Sequence, residues 1–348
     1  MRIPSALARA AKVGVLVGVL SCDHTSPYAP GSYGVGPFTS GSPVRLTFNT
    51  GVDRGPFWVP DGSGFLYTQE QMDRQDRDQC FAVMPQAGGT ITRTICATTD
   101  PLGDSLNAFQ SPSVSADGRM AYVRSSMYAF AGRHTPDYSA LVLATYQAPL
   151  QTTVLEPLSY FGPSSQSVDL VRDIVWTGPT SMIYVAEQVT YACANFGCTA
   201  LDTAESGIEI QRLDYSTSPP VLSVVPNTSS ATSLAAGKAD TVFFTVAGSG
   251  QVHRRALSTG ADTVVFDFGS PVTDLSAAGS RFAGVQGSAM RVVDLATAFD
   301  NTFTKTDTNF HRPALSPDGH RVVAALAPVD TLTGLEAAPP DLWMWKLP

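Results

Sequence analysis

The residues able to do chemistry are few and far apart. Five histidines, His24, His134, His253, His311 and His320, are spread along the chain; none is paired at the spacing that sets two ligands on one metal ion, so they read as surface residues. Asp73, Asp76 and Asp78 lie within one charged run, residues 72–79, and three carboxylates so close would suit Ca²⁺. Arg74 and Arg77 compete for them, however, and the glycine of a tight calcium loop is missing, so the run reads as a solvated connection between strands. Asp61, Asp117 and Asp318 recur at one position of a repeated motif, which points to side-chain capping of a turn rather than to a carboxylate cluster. The chain contains no Gly-x-Ser-x-Gly, no Gly-x-x-x-x-Gly-Lys and no His-Glu-x-x-His, so it carries no motif for a nucleophile elbow, a phosphate loop or a zinc helix. The expectation is a non-enzyme with no cofactor and no resident metal.

The elements that would position any site are clearer. Residues 55–67, 111–122 and 312–323 repeat one theme: a proline (Pro56, Pro112, Pro313), an apolar strand, a turn on Asp61-Gly62, Asp117-Gly118 or Asp318-Gly319, and a second apolar strand. Asp-Gly suits a tight hairpin because both residues tolerate positive φ. Three weaker copies follow by spacing: strands at 173–176 and 182–185 around Gly178-Pro179-Thr180, 233–237 before 241–246, and 274–279 before 281–285. Two further β-rich runs follow the hairpin in a unit, as at 79–84 and 90–96 around Gly88-Gly89, or at 251–257 and 262–266. Six such units of roughly fifty residues fill residues 43–348, a period typical of propeller blades.

The motif, with the strand Arg45-Leu46-Thr47-Phe48 ahead of it, resembles the repeat of TolB-like β-propellers. The resemblance implies an all-β fold: a six-bladed β-propeller of four-stranded antiparallel blades. The last unit runs out of chain after residues 341–347, and residues 44–48 stand unassigned before the first, so an N-terminal strand is expected to close the ring. In such a ring the first strand of each blade lines a central channel. Aligned on the repeat, Arg54, Gln110, Arg172 and His311 take equivalent positions at one mouth, with Asp53, Asp173 and Arg312 beside them. A convergent polar ring at a concave mouth is a candidate binding site; the plainer reading is a wet channel mouth that simply accepts polar residues. Trp58 and Trp176 hold equivalent strand positions and, with Trp343 and Trp345, are expected in the core between blades.

Residues 1–22 read as a targeting segment: Arg2, Arg9 and Lys12, then an apolar stretch at 13–20. The ending Val19-Leu20-Ser21-Cys22 resembles a bacterial lipobox, which implies that Cys22 becomes the lipidated first residue; Leu20 departs from the smaller residue usual there. Residues 23–42 form a Gly/Pro/Ser-rich linker, spanning ~25 Å as a flexible tether. Four cysteines remain after Cys22, an even number that fits an exported protein. Cys80 and Cys96 flank Gly88-Gly89 on one predicted hairpin, and Cys193 and Cys198 bracket a short loop, so the pairs Cys80–Cys96 and Cys193–Cys198 are expected; four free or metal-binding thiols are the alternative. No later apolar run is long enough to span a membrane.

The net charge of −8 argues against a nucleic-acid partner. The leading expectation is a monomeric, non-catalytic lipoprotein of the bacterial cell envelope. It would be lipid-anchored, face the periplasm or exterior, and bind an envelope protein or peptide through a propeller face. Insertions at 127–138, 189–205 and 328–340 would decorate the blades as loops, with Tyr191 and Phe196 as contact residues. The alternative is a small-ligand- or metal-binding propeller, a lactonase-like hydrolase among the forms it could take, working at the channel mouth.

Overall fold

A computed structural model describes residues 43–70, 79–96, 105–130, 133–161, 165–193, 201–238 and 240–348. Among the described residues every regular element is a β-strand. The targeting segment with Cys22, the linker, the acidic run at 71–78, Phe196 and Cys198 lie outside them.

The strands form small antiparallel sheets in chain order. After β1 (Val44–Arg45) comes an eight-stranded sheet, made of β2 (Asp53–Trp58), β3 (Gly64–Glu70), β4 (Gln79–Pro85), β5 (Arg93–Ile95), β6 (Ser105–Val114), β7 (Arg119–Phe130), β8 (Arg133–Thr145) and β9 (Thr153–Pro157). A five-stranded sheet follows: β10 (Ser159–Phe161), β11 (Ser165–Trp176), β12 (Ser181–Cys193), β13 (Leu201–Asp214) and β14 (Val221–Val224). Two four-stranded sheets come next. One is β15 (Ala231–Ala236), β16 (Thr241–Val246), β17 (Gln251–Ala256) and β18 (Asp262–Asp267); the other is β19 (Asp274–Ala278), β20 (Arg281–Gln286), β21 (Ala289–Asp294) and β22 (Phe299–Thr304). The last sheet is β23 (Thr308–Leu315), β24 (Arg321–Pro328) and β25 (Asp341–Lys346), with β1 as its fourth strand.

Among the described residues the sheets therefore number five, not one for each repeat unit. The physical reason is a single parallel pairing, Gln79 with Ala108, which joins β4 to β6 and merges the first two hairpin groups into one sheet. The arrangement is propeller-like. The first strands of successive groups, β2, β6, β11, β15, β19 and β23, pack side by side, and β23 packs in turn on β2.

Each group buries both of its faces against a neighbour. Phe81, Phe109 and Tyr122 make one such cluster; Leu141, Ile174 and Tyr184 the next; Ile183, Leu234 and Phe244 a third. Phe268, Phe282 and Val293 follow, then Phe303, Phe310 and Trp345. The cluster of Leu46, Trp58, Phe65 and Met84 with Ala314, Val323 and Met344 joins the two ends of the chain. There Trp58 Nε1 donates to the Ala314 carbonyl at 2.9 Å, and β1 extends into a contact where Leu46 N donates to Leu342 O at 2.8 Å. Trp58 and Trp345 are buried as expected, and Trp176 and Trp343 are partly buried against the same layers.

The Asp-Gly turns form, with one difference. Only the glycines take positive φ, at 72° for Gly62, 83° for Gly118 and 74° for Gly319. The aspartates keep ordinary backbone and use their carboxylates instead. Asp61 accepts from Ser63 N, while Asp117 and Asp318 accept from the hydroxyls of Ser115 and Ser316. The turn-capping reading of these residues is the geometry observed. The Cys80–Cys96 disulfide is present, with Cα atoms 4.6 Å apart; Cys193 ends β12.

Two of the expected loop insertions are not loops. Residues 127–130 and 133–138 continue the β7–β8 hairpin past one register shift after Ser126, and residues 189–193 and 201–205 continue β12–β13 in unbroken register. Only 328–340 remains a connection, tied by the bridge Val329–Glu336.

Leu46 is buried in the cluster between the two chain ends. Leu46→Ala should cost about 3 kcal/mol, and removal of residues 43–48 should cost more, because Arg45 and Thr47 also hold Asp341. An unchanged melting temperature in either variant would contradict this account.

Candidate functional site

The site is built by one irregularity repeated in four inner strands. The pairing of β2, β6, β11 and β23 with their hairpin partners slips between Arg54 and Phe57, Gln110 and Ser113, Arg172 and Val175, and His311 and Ala314. A bulge leaves residues unpaired and bends the strand. In each case the residue after the slip takes a left-handed backbone: Gly55 at φ 61°, Ser111 at 50°, Asp173 at 53° and Arg312 at 46°. Glycine does this freely, whereas the other three carry local strain of order 1–3 kcal/mol each. The effect is to turn the preceding side chain and the bulge residue toward the axis.

Of the seven residues expected at or beside the mouth, six, Arg54, Gln110, Arg172, Asp173, His311 and Arg312, line a single cavity of ≈ 1320 Å³ running along the inner strands. Asp53 does not join them; it opens β2 and is fully buried. Arg312 reaches from the last sheet to the β11 strand. Its Nη1 is 2.9 Å from Asp173 Oδ1 and its Nε 3.3 Å from Asp274 Oδ1. The other Asp173 oxygen accepts from Ser233 Oγ at 3.0 Å and from Leu234 N at 3.1 Å. Burial pushes the Asp173 carboxyl above its ordinary value, against the pull of Arg312. Ser111 Oγ donates to the Val171 carbonyl at 2.8 Å. These bonds tie five inner strands, β6, β11, β15, β19 and β23, together across the channel and hold the strained bulges in place.

Along the side formed by the first three hairpin groups, Gln79 Oε1 accepts from Arg54 Nη2 at 2.9 Å and from Gln110 Nε2 at 3.3 Å. Arg172 lies 3.8 Å from Glu187, and its Nε is buried without a hydrogen-bond partner. On the last sheet His311 Nε2 contacts Glu336 Oε1. Gln79, Glu187, Asp274 and Glu336 thus belong to the site but were not singled out from the sequence. Asp274 opens its unit as Asp173 opens another, which was the available signal. The partners Gln79, Glu187 and Glu336 sit on second strands, third strands or connections, where the repeat gives no guide.

The remaining expectations fall elsewhere. His253 contacts Asp262 and stacks on Phe244, and His320 is exposed near Pro348. Tyr191 lies in β12 opposite Gln166 and Thr203. Among the described residues no group of three or more His, Cys, Asp or Glu side chains could hold a metal ion.

No known protein family and no curated protein matches the chain in sequence. Solved structures do match in shape. A streptogramin B lyase aligns with TM-score 0.50 at 11% identity, covering 91% of this chain and 100% of that one. Regucalcin from Agrobacterium tumefaciens gives 0.49 at 12%, covering 90% and 93%. TolB from Acinetobacter baumannii gives 0.46 at 17%, covering 85% of this chain and 63% of that one. The likeness is one of fold. At such identities it extends to the propeller-like arrangement and to no activity, substrate or partner.

Two tests follow from this geometry. Arg312→Met would leave Asp173 enclosed without its counter-charge and should cost about 2–4 kcal/mol, read as a lower unfolding midpoint in denaturant; a midpoint at the parent value would show that the ion pair does not hold the bulges. At the start of β2, burial lifts Asp53 to about 7, with a hydrogen bond from Asn49 pulling the other way. A carboxyl raised in the folded state adds stability that is complete below its ordinary value near 3.8 and lost as pH rises through about 7. Asp53→Asn should therefore flatten the fall in melting temperature between pH 5 and 8; an identical fall in the variant would refute the assignment.

Proposed function

We propose that the chain is a six-bladed propeller, with the eight-stranded sheet counted as two blades, closed by its N-terminal strand. It is held at a bacterial cell envelope by lipid on Cys22 and binds a protein or peptide of that envelope through the mouth face, without catalysing a reaction. The observation that carries this reading is that all three long insertions rise on one face, the face of the polar ring. The β7–β8 and β12–β13 extensions stand at the ends where β6 and β11 begin, and the 328–340 connection brings Glu336 to His311. Paired strands are already ordered, so a partner seated against them loses little to their immobilisation. At the tip of 328–340, Leu332 and Leu335 are 94% and 70% exposed, and apolar side chains so placed suit a protein partner.

The targeting segment and the Cys80–Cys96 disulfide support an exported, oxidising address, and the charge of −8 supports a partner other than nucleic acid. The second reading, a small-ligand or metal site with lactonase-like chemistry, draws on the ≈ 1320 Å³ cavity and on the strained residues around it.

A photo-cross-linking residue at Leu332, in the full chain in its native envelope, should capture one protein in near-stoichiometric yield. The same group at Asp61, in a turn at the other end of β2, should not. Capture from neither site over several growth conditions, or stoichiometric calcium in the purified chain, would favour the second reading.

A further inference from the structure

Arg54 and Arg172 occupy equivalent bulge positions on β2 and β11, with Gln110 at the same position on β6 between them. A guanidinium offers five N–H donors in a planar fork. Among the described residues, Arg54 donates one side-chain hydrogen bond, to the neutral Gln79 amide, and has no carboxylate within ion-pair distance. Arg172 donates none; Glu187 stands at 3.8 Å, and Nε is enclosed without a partner. Two guanidiniums in one cavity are thus left mostly unused.

The other charges lining the cavity are spoken for. Asp173 and Asp274 both face Arg312, and Glu336 faces His311. Asp169 accepts from Gln188, and burial raises its carboxyl above the ordinary range. Crowding by the surrounding protein lowers Arg54, although its side chain reaches solvent, and the nearby charge of Arg312 lowers it further, while Glu70 raises it; an anion bound there would offset the first two. Low-dielectric walls around such a cleft also concentrate the field on whatever enters it.

We propose that Arg54, Gln110 and Arg172 form a binding site for a carboxylate-bearing ligand at the channel mouth. The proposal deepens the mouth-face reading given above and rests on it for the place of the ligand. A flat carboxylate matches the guanidinium fork in a bidentate manner, while the Gln110 amide supplies a neutral donor between the two arginines. A dianionic phosphate fits less well, because Glu187 and Asp173 line the same cavity and would repel the second charge. The carboxylate can be that of a small free acid or that of a peptide side chain or C-terminus.

The test is calorimetric titration of the full chain with three probes: succinate, the peptide Gly-Ser-Gly-Asp with free carboxylates, and its amidated Asn counterpart. At least one carboxylate probe should bind, more weakly as salt rises, and the amidated peptide should bind at least about tenfold less tightly. Arg54→Gln and Arg172→Gln should each weaken binding about tenfold or more, with Gln110→Leu as the test if either arginine variant melts at a lower temperature than the parent. Binding of succinate assigns a free acid, and binding of the peptide alone assigns a peptide carboxylate; both support the site. Absence of binding by either carboxylate probe, equal binding of the amidated peptide, or unchanged affinity in the folded variants would overturn it. If the double variant Arg54→Gln, Arg172→Gln still captures the same envelope protein through position 332, the carboxylate site falls while the partner reading stands. Arginine-dependent succinate binding without any captured protein would do the reverse.

Discussion

A narrow twisted sheet with two apolar faces cannot exist alone in water, and this constraint governs the whole molecule. Here both faces of each hairpin group are apolar, so each group needs a neighbour on either side, and only a closed ring gives every group two. The decisive contact is the one between the two chain ends. Leu46, Trp58 and Phe65 must meet Ala314, Val323 and Met344, although these residues are separated by nearly the whole described sequence. Every other layer joins consecutive segments and can form locally, whereas this one has to wait for the rest.

The ring in turn allows strain at its centre. Ser111, Asp173 and Arg312 hold left-handed backbone that a non-glycine residue adopts at a cost. Stacked sheets fix the ends of each inner strand, and the bonds from Arg312 to Asp173 and Asp274 fix the middle. Strain, buried charge and an open cavity therefore coincide at the mouth. The other end of the inner strands, where the Asp-Gly turns lie, has relaxed aspartates and ordinary hydrogen bonds.

What the sequence reveals follows the range of each interaction. The Asp-Gly hairpins and the Cys80–Cys96 pair are local, and both were legible. Arg54, Gln110, Arg172 and His311 were legible together because they hold one position in the repeat, whereas the backbone slip at that position was not. The ion pair of Arg312 with Asp173 spans 139 positions, so their adjacency on the ring was readable but their contact was not. Gln79 was hidden for a different reason: its role comes from the parallel pairing with Ala108, which no repeat motif encodes. The lengthened strands of β7–β8 and β12–β13 were read as loops because Pro136 and a register shift after Ser126 interrupt the alternation in one, and a shift after Glu187 interrupts it in the other.

The lengthening is confined to one side of the ring. Next to the tall β7–β8 and β12–β13 hairpins, β16 and β17 are joined by only four residues and β20 and β21 by two. The rim is thus high along one arc and low along another, like a cup with a notch. A ligand at the proposed site would enter across the low arc, past short turns, with the paired strands of the high arc as its far wall. Exchange at such a site needs no hinge, so arrival would be set by diffusion and residence by the strength of the contacts on the high wall.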